Sequence, residues 1–228
     1  MNKLEKKLAK YHNKKYCLLT GSGTTAMHLV FKTIKKNSDA LFPAITCIQA
    51  VNAAIFAKLK VKFTDVNLYN YTMNLHTLKK SLSKNTSIVV PTHTFGHDSE
   101  IDKISNFCKK KKIFVLEDAT QSMGGSINGK KLGSFGDASV ISFGYSKILD
   151  CGGGGCVLTD NKILYNSILK NYDKIPNKIK NHQKLFNLYK KKYYSIKKKT
   201  RNKSEFCKKI FKIQFFYKKL FIFKIDEK

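Results

Sequence analysis

Short apolar runs recur along the first 160 positions, each followed by a stretch with helical spacing. That alternation is what most limits the folds open to this chain. Strands are expected at 16–20, 39–42, 61–65, 87–91, 113–117 (closing on Asp118), 138–143 and 156–159. Helices are expected at 2–13, where Leu4, Leu8 and Tyr11 share one face, and at 24–35, 47–58, 75–83 and 98–110. The helix at 47–58 carries mostly small and apolar residues and is expected to be buried. Strands alternating with helices imply an α/β fold, a mostly parallel sheet with helices on its flanks. No fixed-period repeat interrupts the pattern.

Composition matters at one boundary. Residues 161–228 hold 21 basic and 4 acidic residues, a net charge of +17 out of +29 for the whole chain of 228. The alternating pattern also fades there, and lysine triplets alternate with aromatic residues. We therefore divide the chain into a domain at 1–160 and a Lys-rich, helical, incomplete segment at 161–228. Forty-three of the 44 basic residues are lysine and only Arg201 is arginine. Arginine is the residue suited to bidentate contacts with guanine and phosphate, so the excess reads as compositional bias and not as specific nucleic-acid recognition. Non-specific attraction of a polyanion or an anionic lipid surface to Lys190–Lys219 is a separate reading that charge alone permits.

No run approaches the length of a membrane span, and the N-terminal residues do not form a secretory signal. Six cysteines lack CxxC spacing and histidine partners at zinc spacing, so no metal site is expected. They read as reduced thiols of a cytoplasmic protein.

Ligands of open parallel sheets bind outside the carboxyl ends of the strands. Four polar groups fall at such ends: Gly21-Ser-Gly-Thr-Thr25, Pro91-Thr-His93, Glu117-Asp118 and Ser142 through Lys147. The first is a strand, a glycine turn and a helix start, which offers backbone N–H groups to a phosphate. It matches neither the GxGxxG fingerprint nor the GxxxxGK[ST] loop, and an ordinary turn is an equal reading. Gly152–Gly155 reads as a tight turn. Asp118, at the end of a buried strand, needs either a cationic partner or a helix-capping role over Ala119-Thr-Gln121. Lys147 stands out among many lysines by its context, SFGYSK followed by four glycines. A lysine at a strand end beside a cationic cofactor can act as a nucleophile toward an aldehyde.

Seven segments in order resemble the DegT-type (StrS-like) sugar-nucleotide aminotransferases, pyridoxal-phosphate enzymes of fold type I. They are SGTTAMHL (22–29), FPAITCIQAVNAAIFA (42–57), VKFTDV (61–66), VVPTHTFG (89–96), LEDATQSMGG (116–125), KLGSFGDASVISFGYSK (131–147) and GGGGCVLTD (152–160). The resemblance spans roughly residues 4–161. It implies pyridoxal 5'-phosphate as cofactor, with Lys147 joined covalently to it and Asp118 paired with its ring nitrogen. Gln121 would lie near its phenolic oxygen, and Thr24, Thr25 and Ser142 would hold its phosphate. The implied reaction moves an amino group from an amino-acid donor, usually glutamate, to a nucleotide-linked keto sugar, for amino-sugar and surface-polysaccharide synthesis. Lysine at 147 separates the chain from the family's dehydratase branch, which has histidine there. Cys47 stands where many members place an aromatic ring over the cofactor. Members are longer and act as homodimers, so the chain is expected to enter a small C-terminal domain without completing it. A truncated, non-catalytic cofactor-fold protein and a polyanion-binding module are the alternatives that this pattern leaves.

Overall fold

The computed structural model describes residues 1–175 and, beyond them, positions 191 and 195, which are helical. A compact unit covers Met1–Tyr172. Its elements alternate as expected: α1 (Lys3–Tyr11), β1 (Tyr16–Thr20), α2 (Gly23–Phe31), β2 (Asp39–Pro43), α3 (Ile48–Phe56), β3 (Lys60–Thr64), α4 (Leu75–Ser81), β4 (Thr86–Val89), α5 (Ile101–Lys111), β5 (Phe114–Asp118), β6 (Ser126–Ile127), β7 (Lys130–Lys131), β8 (Ala138–Ser142), β9 (Gly155–Thr159) and α6 (Lys162–Tyr172). The Lys190–Lys219 stretch, on which polyanion attraction was considered, lies almost wholly outside the described residues.

Seven strands form one sheet in the order β1-β9-β8-β5-β4-β2-β3. The pairs β2–β3, β2–β4, β4–β5 and β5–β8 are parallel, while β8–β9 and β9–β1 are antiparallel. The connections explain the difference. A helix carries the chain back between successive strands from β2 to β5, as parallel pairing requires. Between β8 and β9 there is only a loop, so the chain returns antiparallel.

Alternating side chains of the central strands bury both faces of this sheet. Leu41 packs with Leu78 of α4 and with Ile101, Ile104 and Cys108 of α5. Its neighbour Phe42 points the other way, with its ring 6.0 Å from that of Phe31 in α2. A second cluster joins Leu8 and Ala9 of α1 to Cys17, Ile141, Cys156 and Leu158. The helix that follows Asp160 belongs to the same unit: Tyr165 stacks on Tyr16 with centroids 5.0 Å apart, and Leu164 and Ile168 are buried.

Three local differences from the sequence reading have clear causes. The small strands β6 and β7 form a hairpin across Asn128-Gly129, both with positive φ (48° and 77°). Asn-Gly is the turn signal that would have located them. The helix expected at 47–58 is not wholly buried, because Ile48, Ile55 and Phe56 are exposed on its outer side. Residues 119–121 do not form a helix, so Asp118 caps none.

The two glycine turns, separate in sequence, meet in space. Gly154 donates its N–H to Gly21 O at 3.0 Å and forms a bridge with Ser22. At Gly155 a Cβ would stand 2.5 Å from Gly23 N and 2.7 Å from the Ser22 carbonyl carbon. Only glycine lets the start of β9 approach the start of α2 so closely. Gly155→Ala is therefore expected to lower stability by about 3 kcal/mol, the upper range for overpacking, as a reduced thermal midpoint of the purified protein.

Candidate active site at the carboxyl ends of the strands

The α2 N-terminus forms the first wall. Ser22 is the N-cap, and its hydroxyl accepts from Thr25 N–H at 3.0 Å and lies 3.0 Å from Thr25 Oγ1. Thr24 and Thr25 occupy the first turn, half-buried, where the helix dipole favours an anion. Ser142, the last residue of β8, abuts this turn, for a Cβ at Gly23 would lie 3.2 Å from Ser142 Oγ. The same Cβ would lie 3.6 Å from Thr120 Cγ2, so the loop after β5 reaches the corner as well. Hydroxyls of Thr24, Thr25 and Ser142 beside a nine-residue helix start can hold a phosphate.

Asp118 closes β5. It is 1% exposed, accepts from Thr120 N–H at 3.1 Å, and lies a long 3.4 Å from the Thr92 hydroxyl. No described cation pairs with it. A buried carboxylate with spare acceptor capacity and no counter-charge suits a cationic ring nitrogen. Gln121 follows on the same loop, half-buried, and its Oε1 accepts from Phe95 N–H at 3.2 Å.

Lys147 lies on the loop after β8, half-exposed. Its N–H donates to Gly144 O at 3.2 Å, and its ammonium has no partner among the described residues. Backbone bonds from Cys151 to Phe143 (3.0 Å) and from Phe143 to Gly154 (2.9 Å) close the base of that loop. Cys47 is the exposed N-cap of α3, past the end of β2. The structure thus places every sequence-selected residue at the same end of the sheet, and it joins Thr24, Thr25 and Ser142 in one corner.

Sequence reasoning placed Glu117 and His93 at strand ends without seeing their partnership. Glu117 is fully buried and accepts from His93 Nε2 (3.1 Å), Phe135 N (2.7 Å), Gly136 N (3.0 Å), Ser139 Oγ (2.9 Å) and Gly133 N. Burial by itself would raise its pKa, but His93 and the backbone N–H groups outweigh that and hold it down at about 2. Thr120 is the other residue missed, and no sequence signal separates it from ordinary turn residues.

The fold is that of a fold-type-I aminotransferase large domain. The DegT/DnrJ/EryC1/StrS aminotransferase family model matches residues 1–203, so the chain belongs to that family. It is 29% identical over 171 residues to a GDP-perosamine synthase of Escherichia coli O157:H7, covering 74% of this chain and 47% of that protein. It is 32% identical over 172 residues to the UDP-4-amino-4,6-dideoxy-N-acetyl-beta-L-altrosamine transaminase of Campylobacter jejuni, covering 74% and 46%. The solved E. coli GDP-4-keto-6-deoxy-D-mannose-3-dehydratase with bound hydrated PLP superposes with a TM-score of 0.68 at 27% identity, covering 72% and 44%. The chain spans about half the length of the curated relatives it matches.

The depressed Glu117 pKa has a defined consequence for acid stability. The contribution is fully present above the ordinary carboxylate value of 4.5 and is lost as pH falls from there towards 2. It amounts to about 3 kcal/mol. Thermal melts of the wild type are expected to fall steeply across that window. Glu117→Gln is expected to be less stable at pH 7 and to show a flatter acid limb.

Proposed function

We propose that the protein is a pyridoxal-phosphate-dependent aminotransferase that moves an amino group from an amino-acid donor such as glutamate to a nucleotide-linked keto sugar. One observation carries the reading. A buried, uncompensated Asp118 and a hydroxyl-lined helix start lie at the same strand ends, with Lys147 on an adjoining loop.

Bound there, pyridoxal phosphate supplies an aldehyde carbon and an electron-withdrawing ring. Thr24, Thr25 and Ser142 hold the phosphate. Asp118, buried with spare acceptor capacity and no described cation beside it, would pair with the protonated ring nitrogen. Gln121 donates to the phenolic oxygen. Lys147 would be the residue that holds the aldehyde carbon, and its amine would serve as the base that moves a proton at the amino donor's α-carbon. The transaminase from C. jejuni supports a nucleotide-sugar acceptor, and lysine at 147 favours transamination over the dehydration named for the E. coli relative.

We extend the reading to a cytoplasmic homodimer. Ile45 and Ile48 follow β2, Leu68 and Tyr69 follow β3, and Ile148 and Leu149 follow β8. All six are exposed, Tyr69 by 95%; Ile48 opens α3 and the other five lie on loops that follow strands, at the end of the sheet that bears the site. Apolar residues gathered there suit a second copy covering the site. The described cysteines are all free, as a reducing compartment maintains them. Of the Lys-rich segment at 161–228, α6 belongs to the first unit, and the chain from Asp173 onward is proposed as a second unit.

Two outcomes check the assignment. Borohydride treatment with pyridoxal phosphate is expected to fix one cofactor per chain, and peptide mapping should locate it on Lys147; an adduct on another lysine rejects it. Asp118→Asn is expected to slow the half-reaction with glutamate by about a hundredfold or more while some cofactor stays bound. An unchanged single-turnover rate would assign Asp118 a purely structural role.

A further inference from the structure

Phe95 combines two unfavourable features beside the site. Its backbone lies in the left-handed region (φ 55°, ψ 21°), where a bulky L-residue is strained. Its ring is 72% exposed, so packing of the ring does not hold it there. The conformation instead aims the Phe95 N–H at Gln121 Oε1, 3.2 Å away.

The surrounding turn is pinned on several sides. Gly96 N–H donates to His93 O at 3.0 Å, and His97 N–H donates to Thr94 O at 3.0 Å. His93 N–H in turn donates to Asp118 O at 3.1 Å. The His93 ring is fixed between Glu117 at 3.1 Å and Ser99 at 3.4 Å. The buried Glu117 network therefore reaches the Phe95 turn through His93.

A glutamine amide has one acceptor end and one donor end. A backbone N–H bound to the oxygen fixes the orientation of the amide, and the NH₂ group on its other end is left to face a ligand. Without that bond the amide can rotate and turn its oxygen toward an anionic ligand oxygen, which repels it.

We propose that Phe95 is a positioning residue, whose left-handed backbone N–H holds the Gln121 carbonyl oxygen and so presents the Gln121 amide nitrogen to the cofactor as a fixed donor. The proposal rests on the pyridoxal-phosphate reading above. It assigns the effect to the backbone at position 95 and not to the phenyl ring.

The test is a double-mutant cycle read by pyridoxal-phosphate titration and by the pH profile of the bound cofactor's visible absorption. Phe95→Val disfavours positive φ and is expected to weaken binding about fivefold, the size of one net hydrogen bond. It should also move the midpoint of the pH profile upward, because the donor to the phenolic oxygen is lost. Gln121→Ala should do the same, and adding Phe95→Val to it should change nothing further. Glycine at position 95 keeps the N–H and tolerates positive φ, so Phe95→Gly is expected to retain the wild-type pH profile. If Phe95→Val does not fold, Phe95→Ala asks the same question more mildly. An undiminished effect of the position-95 substitution in the Gln121→Ala background overturns the proposal. So does a Phe95→Gly defect equal to that of Phe95→Val. A wild-type chain that takes up no pyridoxal phosphate overturns the functional reading and this proposal together, whereas uptake without coupling overturns the proposal alone.

Discussion

The carboxylate of Glu117 is the point on which the site end of the sheet is assembled. It sits on β5, immediately before Asp118, and accepts from five groups drawn from His93 and from the segment 133–139. Those groups belong to the loop after β4 and to the entry into β8. One buried charge thereby ties the loop after β4 and the entry into β8 to the carboxyl end of β5. A buried carboxylate is strongly destabilising when its acceptors are empty, so the surrounding loops are held to the geometry that fills them. This makes the loop backbone at Gly133, Phe135 and Gly136 part of the site's support.

The second constraint is steric. Gly155, Gly23 and Ser142 occupy a space in which no additional carbon fits without displacement. Backbone contact between the start of β9 and the start of α2 sets the Thr24–Thr25 turn beside Ser142, so a phosphate would meet groups from two elements at once. Lys14 strengthens the far end of the same layer: its buried ammonium donates to Gly136 O at 2.9 Å and pairs with Asp160 at 3.1 Å. Electrostatic and steric constraints thus converge on β5, β8, β9 and α2, and three of these, α2, β5 and β8, carry residues proposed to hold the cofactor.

Much of this was legible beforehand. The α/β alternation was readable because strand and helix periods differ and the segments are short and clearly bounded. Asp118 and Lys147 were readable because a carboxylate at a buried strand end and a lysine before a glycine run are unusual contexts. The order of seven motifs then resembled one family, to which the chain belongs. The hairpin at residues 126–131 was also within reach of its Asn-Gly turn.

The sequence by itself determined the class of fold and the residue types gathered at the carboxyl ends of the strands, because these depend on local periodicity and on general rules of parallel sheets. Only the tertiary structure decided that two glycine turns some 130 residues apart touch, that Lys14 alone among the described lysines is both buried and paired, that Glu117 and not Asp118 carries the stabilising network, and that Phe95 reaches Gln121 through its backbone. Each of these rests on a contact between segments distant in sequence. Such contacts leave no periodic trace along the chain, because they arise from the packing of whole elements against one another.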